Sequence, residues 1–384
     1  EISCSLVGSE MCIRDRLGKA QNKFGLSHGP YLQEVTNNGA TFVFLTSNNS
    51  FSSVELKHID SNESKLYHHT QHGLKDAYDT FYAIRVEQLQ SGVTYQYRIH
   101  SKEIRSFEPY KVVYGDSITT QWYTFKTVDL KSKGGSIFIT SDTHDDAKRL
   151  EKFLELCDYK TCDAFFYGGD VMSYIPTKET PFSSFIDSSV KMFATSIPFE
   201  LVRGNHETRG KLARFFPELF PKKDGKIYGS YLLGDIMVVM LDCGEDKSDQ
   251  HSVYAGLTDF DSYRTEQAEW LKKLVKTKEY RKAKYRIVIS HFPLVVDERF
   301  KLEKIWEGWY DASAKFLPIL NKAKVDLLVS GHTHRFLYHD ISKSNNFPIL
   351  EQGAICATRL DIANGRIKIK VIDYEGKVLL ERTL

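Results

Sequence analysis

The pattern of hydrophobic and polar positions divides the chain into two regions. From about Leu26 to Thr127, polar and apolar residues alternate in short runs separated by turn-forming residues. These runs are 40–45, 53–59, 81–86, 94–99 and 122–127. Alternation with a period of two is typical of strands that bury one face. Five or more such strands within about 100 residues predict an all-β sandwich.

A polar linker that ends in glycines, at 129–135, precedes a different pattern. Apolar strands now alternate with amphipathic helices, which we predict over 145–157, 265–276 and 312–324. We expect Pro318 to bend or delay the last helix, and strands to return at 367–371 and 378–382. This alternation is typical of α/β proteins, so the sequence predicts an all-β domain at 26–127 followed by an α/β domain at 135–384.

Residues 1–16 follow neither pattern. The segment lacks a starting Met and the charged, apolar and small-residue regions of a signal peptide. It resembles the translated sequencing-adapter sequence found at the ends of metagenomic genes. We therefore interpret residues 1–16 as an assembly artefact, and the compartment stays open because a native leader can be missing.

Composition adds few constraints. The 384 residues are 41% hydrophobic and 27% charged with a net charge of +2, which gives no nucleic-acid or membrane-surface signal. No apolar run approaches the roughly 18 residues of a transmembrane helix. Outside residues 1–16 the cysteines lack zinc-type spacing. Cys157 and Cys162 either form a small-loop disulfide or belong, with Cys243 and Cys356, to a set of scattered, partly buried thiols.

Metal-binding residue types follow five apolar strands of the second region. The strands 137–141, 164–169, 199–204, 285–290 and 325–329 are followed by Asp142 and His144, Asp170, Asn205 and His206, His291, and His332 and His334. Side chains at the carboxyl ends of strands commonly build the sites of α/β proteins, and this mixture of oxygen and nitrogen donors suits first-row metals. Gly169, Gly204 and Gly331 precede three of these sites, where we expect them to allow tight turns.

Each of these signals has an ordinary explanation when it is taken alone. An aspartate after a strand is commonly a turn residue or helix cap, and a lone histidine commonly lies hydrogen-bonded in a core. Their coincidence at five strand ends favours a metal centre. A second cluster, His68, His69 and His72, has no carboxylate at suitable spacing, and we interpret it as a solvated strand or loop.

The five blocks resemble those of the calcineurin-like metallophosphoesterase superfamily in type and order, over about residues 135–335. They are Asp142-x-His144, Gly169-Asp170, Gly204-Asn205-His206-Glu207, His291 and Gly331-His332-x-His334. The first region, with Gly29-Pro30-Tyr31 and the run 89–97, resembles the fibronectin type III domain of purple acid phosphatases. The resemblance implies a fibronectin III-like sandwich followed by a four-layer α/β/β/α domain.

The resemblance also implies two metal ions, of iron, zinc or manganese. The first would be held by Asp142, His144, Asp170 and His334, and the second by Asp170, Asn205, His291 and His332, with Asp170 bridging. Two close cations activate a bridging water for in-line attack on phosphorus. The resemblance casts His206 as the general acid for the leaving alkoxide, or as a transition-state hydrogen-bond donor. Glu207 either orients a histidine or lies on the surface.

The sequence departs from the purple acid phosphatases at one ligand. These carry a tyrosine three residues after the second-block aspartate, whereas position 173 here is serine and Tyr174 lies one residue further on. We expect His144 to replace the tyrosinate, so that the purple tyrosinate-to-iron colour is absent.

Other features bear on the substrate pocket. Trp306, Trp309 and Tyr310 either line a leaving-group pocket or pack a helix, and the insertion at 211–263 is long enough to carry a lid. The leading hypothesis is hydrolysis of small-molecule phosphomonoesters. A phosphodiesterase or nucleotide hydrolase with the same ligands is the alternative, and an intact ligand set argues against a non-enzymatic binding module. Relatives with this sandwich are usually exported, so we expect a periplasmic or extracellular location. The oligomeric state stays open.

Overall fold

The computed structural model describes residues 23–295 and 306–384, so the artefact predicted at 1–16 lies outside the described residues. The first region is all β, as predicted. Its strands are β1 (Leu26–Gln33), β2 (Gly39–His58), β3 (Lys65–Tyr67), β4 (Thr70–Gln71), β5 (Leu74–Lys75), β6 (Ala77–Glu87), β7 (Thr94–Glu108), β8 (Lys111–Thr119) and β9 (Tyr123–Lys126).

Strand β2 joins the two halves of this region. It runs for 20 residues and merges two of the strands expected from the sequence. Its first half pairs with β1 and β6, and its second half pairs with β3 and β7. The ring of Phe42 lies 4.5 Å from that of Tyr97 and 5.4 Å from that of Phe125, so apolar faces of the two halves pack together. The backbone N–H of Gln90 donates to the Tyr95 hydroxyl at 3.0 Å, which ties the loop before β7 to that strand.

The second region contains two six-stranded sheets within the described residues. Its strands are β10 (Gly135–Thr140), β11 (Ala164–Tyr167), β12 (Phe199–Leu201), β13 (Gly229–Leu233), β14 (Ile236–Leu241), β15 (Tyr285–Ser290), β16 (Leu327–Ser330), β17 (Leu337–His339), β18 (Ile349–Glu351), β19 (Cys356–Ala363), β20 (Arg366–Asp373) and β21 (Val378–Thr383). The sheet orders are β12-β11-β10-β19-β20-β21 and β13-β14-β15-β16-β18-β17. Strands β10, β11 and β12 are parallel in one sheet, as are β14, β15 and β16 in the other, so each set ends at one edge.

The two sheets share a buried apolar cluster. Ile137 and Ile139 of β10 belong to it together with Val238, Ile287 and Val329 of the second sheet. Because side chains alternate along a strand, the opposite faces also need cover. The first sheet packs against the helices at 147–156 and 182–194, and the second against those at 260–274 and 307–320.

The helices differ from the predictions mainly at their starts. The α-helices are Ala147–Leu156, Asp187–Ser189, Phe260–Leu274, Lys278–Lys282 and Glu307–Leu320; Phe182–Ile186 and Val190–Ala194 are π-helical; and the 3₁₀ turns are Tyr159–Thr161, His206–Thr208, Phe216–Leu219, Ser252–Tyr254 and Gly353–Ile355. The helices expected from 265 and 312 begin earlier, where distant residues accept N–H groups of their first turns; the N–H of Gly308 donates to the carbonyl of Asp246 at 2.9 Å. The Asp249 carboxylate accepts the N–H groups of Phe260 and Asp261 at 2.9 Å each. Pro318 lies near the end of its helix and does not delay it.

The predicted lid insertion at 211–263 is wrong. The segment contains β13 and β14, and all residues of β14 are buried between their neighbours in the second sheet. It is therefore part of the core framework.

The cysteines and the second histidine cluster match the simpler expectations. Each of the four cysteines in the described part of the chain is free and buried. His69 and His72 are exposed, and His69 forms an ion pair with Asp76 at 2.7 Å. Among the described residues, no helix combines the length and apolarity needed to cross a bilayer.

The all-β region packs directly on the second region. The hydroxyl of Tyr31 donates to the carbonyl of Leu219 at 2.8 Å, and the hydroxyl of Tyr97 donates to the carbonyl of Thr195 at 2.8 Å. Tyr31 and Phe199 also belong to one buried cluster. The two regions therefore share a core, although a polar linker connects them.

His28 of β1 supplies a charged contact across this interface. Its Nδ1 lies 3.1 Å from Asp187 Oδ1, its Nε2 lies 3.2 Å from Glu179 Oε2, and its ring stacks on Phe182 at 4.0 Å. Burial lowers the pKa of His28, but hydrogen bonding and the charges of the two carboxylates outweigh it and raise the pKa above its usual value.

A raised folded-state pKa stabilises the protein below the unfolded-state pKa, and this stabilisation disappears as the pH rises through the folded-state value. We expect His28→Gln to lower the free energy of unfolding by about 1 kcal/mol at pH 5.5 and by less at pH 8.5. Urea denaturation at the two pH values measures this difference. His69→Gln, on an exposed hairpin, serves as the control, and equal losses at both pH values would contradict the prediction.

Candidate metal centre

The loops after the parallel strands bring all the residues predicted for the site together. Donor atoms lie within 4.8 Å of one another in three overlapping groups, which are Asp142, His144 and His334; His144, Asp170 and His206; and Asp170, His291 and His332. Asn205 joins the third group because its Oδ1 lies 3.0 Å from His291 Nε2. The site therefore lies where the carboxyl ends of strands from both sheets meet.

Asp170 and His291 form the buried centre of the third group. The Nδ1 of His291 donates to the carbonyl of Gly168 at 2.9 Å, which leaves Nε2 facing Asp170 Oδ2 and Asn205 Oδ1, each at 3.0 Å. Two acceptor oxygens and a ring nitrogen thus point at one another, and a proton or a metal cation must lie between them. This donor set fits a metal ion.

The pKa values of Asp170 and His291 apply to the state in which a proton, and not a metal ion, lies between them. Burial lowers the pKa of His291, but the negative charge of Asp170 outweighs burial and raises the pKa to about 10. Burial opposes ionisation of Asp170, yet the charge of His291 holds the pKa of Asp170 below its usual value. A proton and a metal ion therefore compete for Nε2 of His291.

Asp142 organises the first group. It is fully buried, and its two carboxylate oxygens accept the backbone N–H of His332 at 3.0 and 3.1 Å. Its Oδ1 lies 3.3 Å from His334 Nε2, which in turn lies 3.1 Å from His144 Nε2. Burial lowers the pKa of His144, and burial lowers the pKa of His332 to about 4, which favours the neutral form that binds metals.

The backbone of the site is strained. The φ angles of five candidate ligands are positive: 55° at Asp142, 45° at His144, 52° at Asp170, 70° at His332 and 53° at His334. The left-handed region costs a residue with a Cβ about 1–2 kcal/mol. Strain of this kind persists where the surroundings fix it and clusters at functional sites.

Two glycines allow the loops to approach the carboxylates. A Cβ on Gly331 would lie 2.2 Å from Asp142 Oδ2, and a Cβ on Gly204 would lie 2.2 Å from Asp170 Oδ1. Gly169 alone of the three predicted glycines has a positive φ, of 92°. The expected tight turn therefore applies to Gly169, whereas Gly204 and Gly331 are needed for space.

A family model described as calcineurin-like phosphoesterase matches residues 135–336, which is more than half of the chain. The chain belongs to the calcineurin-like phosphoesterases. It is a metal-dependent phosphoester hydrolase, and the family implies a binuclear metal centre. The sequence resemblance to this family is thereby confirmed.

Solved structures support the same fold. The chain is similar to a purple acid phosphatase, PPD1, from yellow lupin (Lupinus luteus) seeds, with a TM-score of 0.69 and 14% identity over 92% of this chain and 73% of that one. It is also similar to PhoD, with a TM-score of 0.59 and 9% identity over 94% of this chain and 90% of that one. A comparison with curated proteins found no match.

Glu207 follows His206 in the third sequence block of this phosphoesterase. Its environment matches neither of the two expectations, which were contact with a histidine and a position on the surface. It is fully buried and accepts the backbone N–H groups of Asp170 at 2.8 Å, Met172 at 3.1 Å and Gly204 at 2.7 Å. Burial, and next the charge of Asp170, raise the pKa of Glu207 to about 7. Glu207 therefore ties two ligand loops together through their backbones and does not orient a histidine.

Two further residues were missed by the sequence analysis. The Nε2 of His206 lies 3.0 Å from Nη1 of Arg209, and Arg209 donates to Glu245 Oε1 and Oε2 at 3.0 Å each. Glu245 follows β14, which runs parallel to β15. Strand β14 is therefore a sixth strand that is followed by site residues, in addition to the five found from the sequence. The signal was an apolar run followed by acidic residues, within the segment interpreted as a lid.

Of the three aromatic residues whose role the sequence left open, Trp309 is buried, whereas Trp306 and Tyr310 are not. Trp309 is 4% exposed, and its ring lies 5.6 Å from that of His332, so it packs beside the site. Trp306 and Tyr310 are about half exposed, at 46% and 49%. Tyr174 is also exposed.

The space around Gly331 gives a test of the site. We expect Gly331→Ala to push the His332 loop away from Asp142 and to weaken metal binding about 10-fold or more. Metal content after dialysis against dilute metal, measured by elemental analysis, reports this loss. Gly25→Ala is the matched control, because a Cβ there meets only Lys23 O, at 3.8 Å. Unchanged metal content in Gly331→Ala would refute this interpretation.

Proposed function

We propose that this phosphoesterase hydrolyses small-molecule phosphomonoesters at a binuclear metal centre. The observation that carries the proposal is the position of Asp170, which belongs to two of the donor groups. In the proposed assignment the first metal is held by Asp142, His144, Asp170 and His334, and the second by Asp170, Asn205, His291 and His332. Asp170 would contribute to both ion sites.

When bound, two cations about 3.5–4 Å apart supply a hydroxide nucleophile and polarise the phosphoryl oxygen. The chain's own residues orient the substrate and handle the leaving group. His206 is the proposed general acid, a role that typically contributes about 10²–10⁴-fold. Its Nδ1 donates to the carbonyl of Ser173 at 2.7 Å, which directs Nε2 toward the ligand groups, 3.9 Å from Asp170 Oδ2.

The finer features of the fold belong to the same proposal. We propose a fibronectin III-like domain at 26–127 and a four-layer α/β/β/α catalytic domain at 135–384. The hydrogen bond from the Gln90 N–H to the Tyr95 hydroxyl supports the fibronectin III-like domain. The buried cluster shared by the two sheets supports the four-layer domain. We also propose export to the periplasm or exterior, on the resemblance alone. Fractionation of cells that express the complete native gene tests the location.

Activity assays test the metal-centred mechanism. We expect phosphomonoesterase activity with manganese, zinc or iron that a chelator abolishes. Asp170→Asn should remove most activity because it weakens both ion sites, and His206→Ala should lower kcat by about 10²–10⁴-fold while metal content is retained. Asp76→Asn, on the exposed hairpin, is the control. Full activity of the chelated protein or of Asp170→Asn would end the two-metal proposal.

The same assays distinguish the ester class. We expect monoester substrates to give a higher kcat/KM than diesters, and a preference for diesters or nucleotides would replace the monoester proposal with the alternative.

The ligand at position 144 gives a spectroscopic prediction. We expect iron-loaded protein to lack a strong tyrosinate-to-iron band in the visible spectrum, because His144 occupies the place of the tyrosinate. Tyr174→Phe is the control variant, since Tyr174 is the first tyrosine that follows the second block. A strong visible band that disappears in Tyr174→Phe would show that tyrosine binds the metal.

A further inference from the structure

Arg209 is held rigidly beside the metal centre. Its Nε donates to Glu245 Oε1 and its Nη2 to Glu245 Oε2, each at 3.0 Å, so the planar guanidinium is bound through two parallel hydrogen bonds. Asp246 Oδ1 lies 3.6 Å from Nη2. A bidentate arginine–carboxylate pair fixes the orientation of the guanidinium as well as its position.

The carboxylate that holds Arg209 is itself fixed. The side chain of Glu245 is 1% exposed, and its oxygens also accept from the Thr208 hydroxyl and the Tyr254 hydroxyl, each at 2.8 Å. Four donors thus surround one buried carboxylate. The Arg209 side chain is therefore already ordered before a ligand binds. Ligand binding then costs less side-chain entropy than it would with a freely rotating arginine.

The remaining nitrogen of Arg209 faces the catalytic groups. Nη1 donates to His206 Nε2 at 3.0 Å. It carries two hydrogens, and in the part of the chain that the structure describes, His206 is the recorded acceptor for one of them. Arg209 is 31% exposed at its side chain, and it lines a cavity of about 260 Å³ together with Thr208, Gly210 and Tyr254. The Arg209 side chain is therefore partly accessible to solvent.

We propose that Arg209 is a substrate-binding residue that donates from Nη1 to a non-bridging oxygen of the phosphoryl group. This inference rests on the proposed phosphoesterase function of the same site. Arginine suits phosphate because its charge is permanent and its donors are fixed in one plane. The contact also places a cation beside the oxygens on which negative charge accumulates during phosphoryl transfer.

The proposal assigns a second role to the contact between Arg209 and His206. In the free protein Nε2 of His206 accepts from Nη1, so it cannot donate a proton at the same time. A phosphoryl oxygen offers Nη1 a different acceptor and frees Nε2, which can then take up a proton from solvent and donate it to the leaving alkoxide. Glu245 acts through Arg209 and is a positioning residue.

Kinetics and phosphate binding of the metal-loaded full chain test this inference. We expect Arg209→Gln to raise KM for p-nitrophenyl phosphate and the inhibition constant of inorganic phosphate at least 10-fold, with metal content retained. Arg209→Lys should recover part of the lost affinity because it keeps the charge, and Glu245→Gln should raise KM with less effect on kcat.

Arg98→Gln is the matched control, since Arg98 is also 31% exposed and pairs with a carboxylate, Glu55, at 2.7 Å in the all-β region. Unchanged KM and phosphate inhibition in Arg209→Gln would overturn the inference, as would a rise in KM accompanied by loss of metal. If the wild type hydrolyses no phosphoester, the proposed function fails. Calorimetric titration of inorganic phosphate into the metal-loaded wild type and Arg209→Lys then decides the role of Arg209 separately.

Discussion

Buried carboxylates at the meeting point of two sheets are the constraint on which the site depends. Asp142 and Asp170 are 0% and 2% exposed, and an unpaired charge in such a position costs several kcal/mol. The fold offsets this cost with backbone N–H donors from neighbouring loops and with histidines at hydrogen-bonding distance. Those loops come close enough only where glycine stands, at Gly204 and Gly331. The same geometry that satisfies the carboxylates therefore assembles the metal ligands.

The all-β region takes part in this assembly through β12. That strand lies at the edge of the first sheet, where its outer backbone groups would otherwise lack partners. The side-chain amide of Gln33 donates to the carbonyl of Phe199 in β12 at 2.8 Å. Because Asn205 and His206 follow β12, the first region supports the part of the framework that carries them. The interface therefore packs against the strand that precedes two candidate site residues, although none of the candidate metal ligands lies in the first region.

The residues around His206 show which features of the site a local sequence pattern can predict and which it cannot. Strand periodicity located the edge at which the candidate ligands meet, because the polar residue after each buried strand has a fixed position relative to the sheet. It did not reveal that Glu245 holds Arg209 or that Glu207 binds three backbone N–H groups, since these contacts join segments that are far apart in sequence. The start of the helix at Phe260 was missed for the same reason, because its cap, Asp249, lies outside the periodic run. The segment 211–263 was misinterpreted because the pairing of β14 with β15, which places it in the second sheet, joins strands that are far apart in sequence.

Local sequence was enough to predict the two regions, the five strands that precede the candidate site and the eight residues at their ends, because these follow from hydrophobic periodicity and from which side chains can bind metals. The tertiary structure decided which side chains share a point in space. The proximity of His144 and His334, the double membership of Asp170 in the donor groups, and the support of Arg209 by Glu245 depend on how two sheets pack and how closely their loops approach. These are distances between residues that are remote in sequence, and no local pattern encodes them.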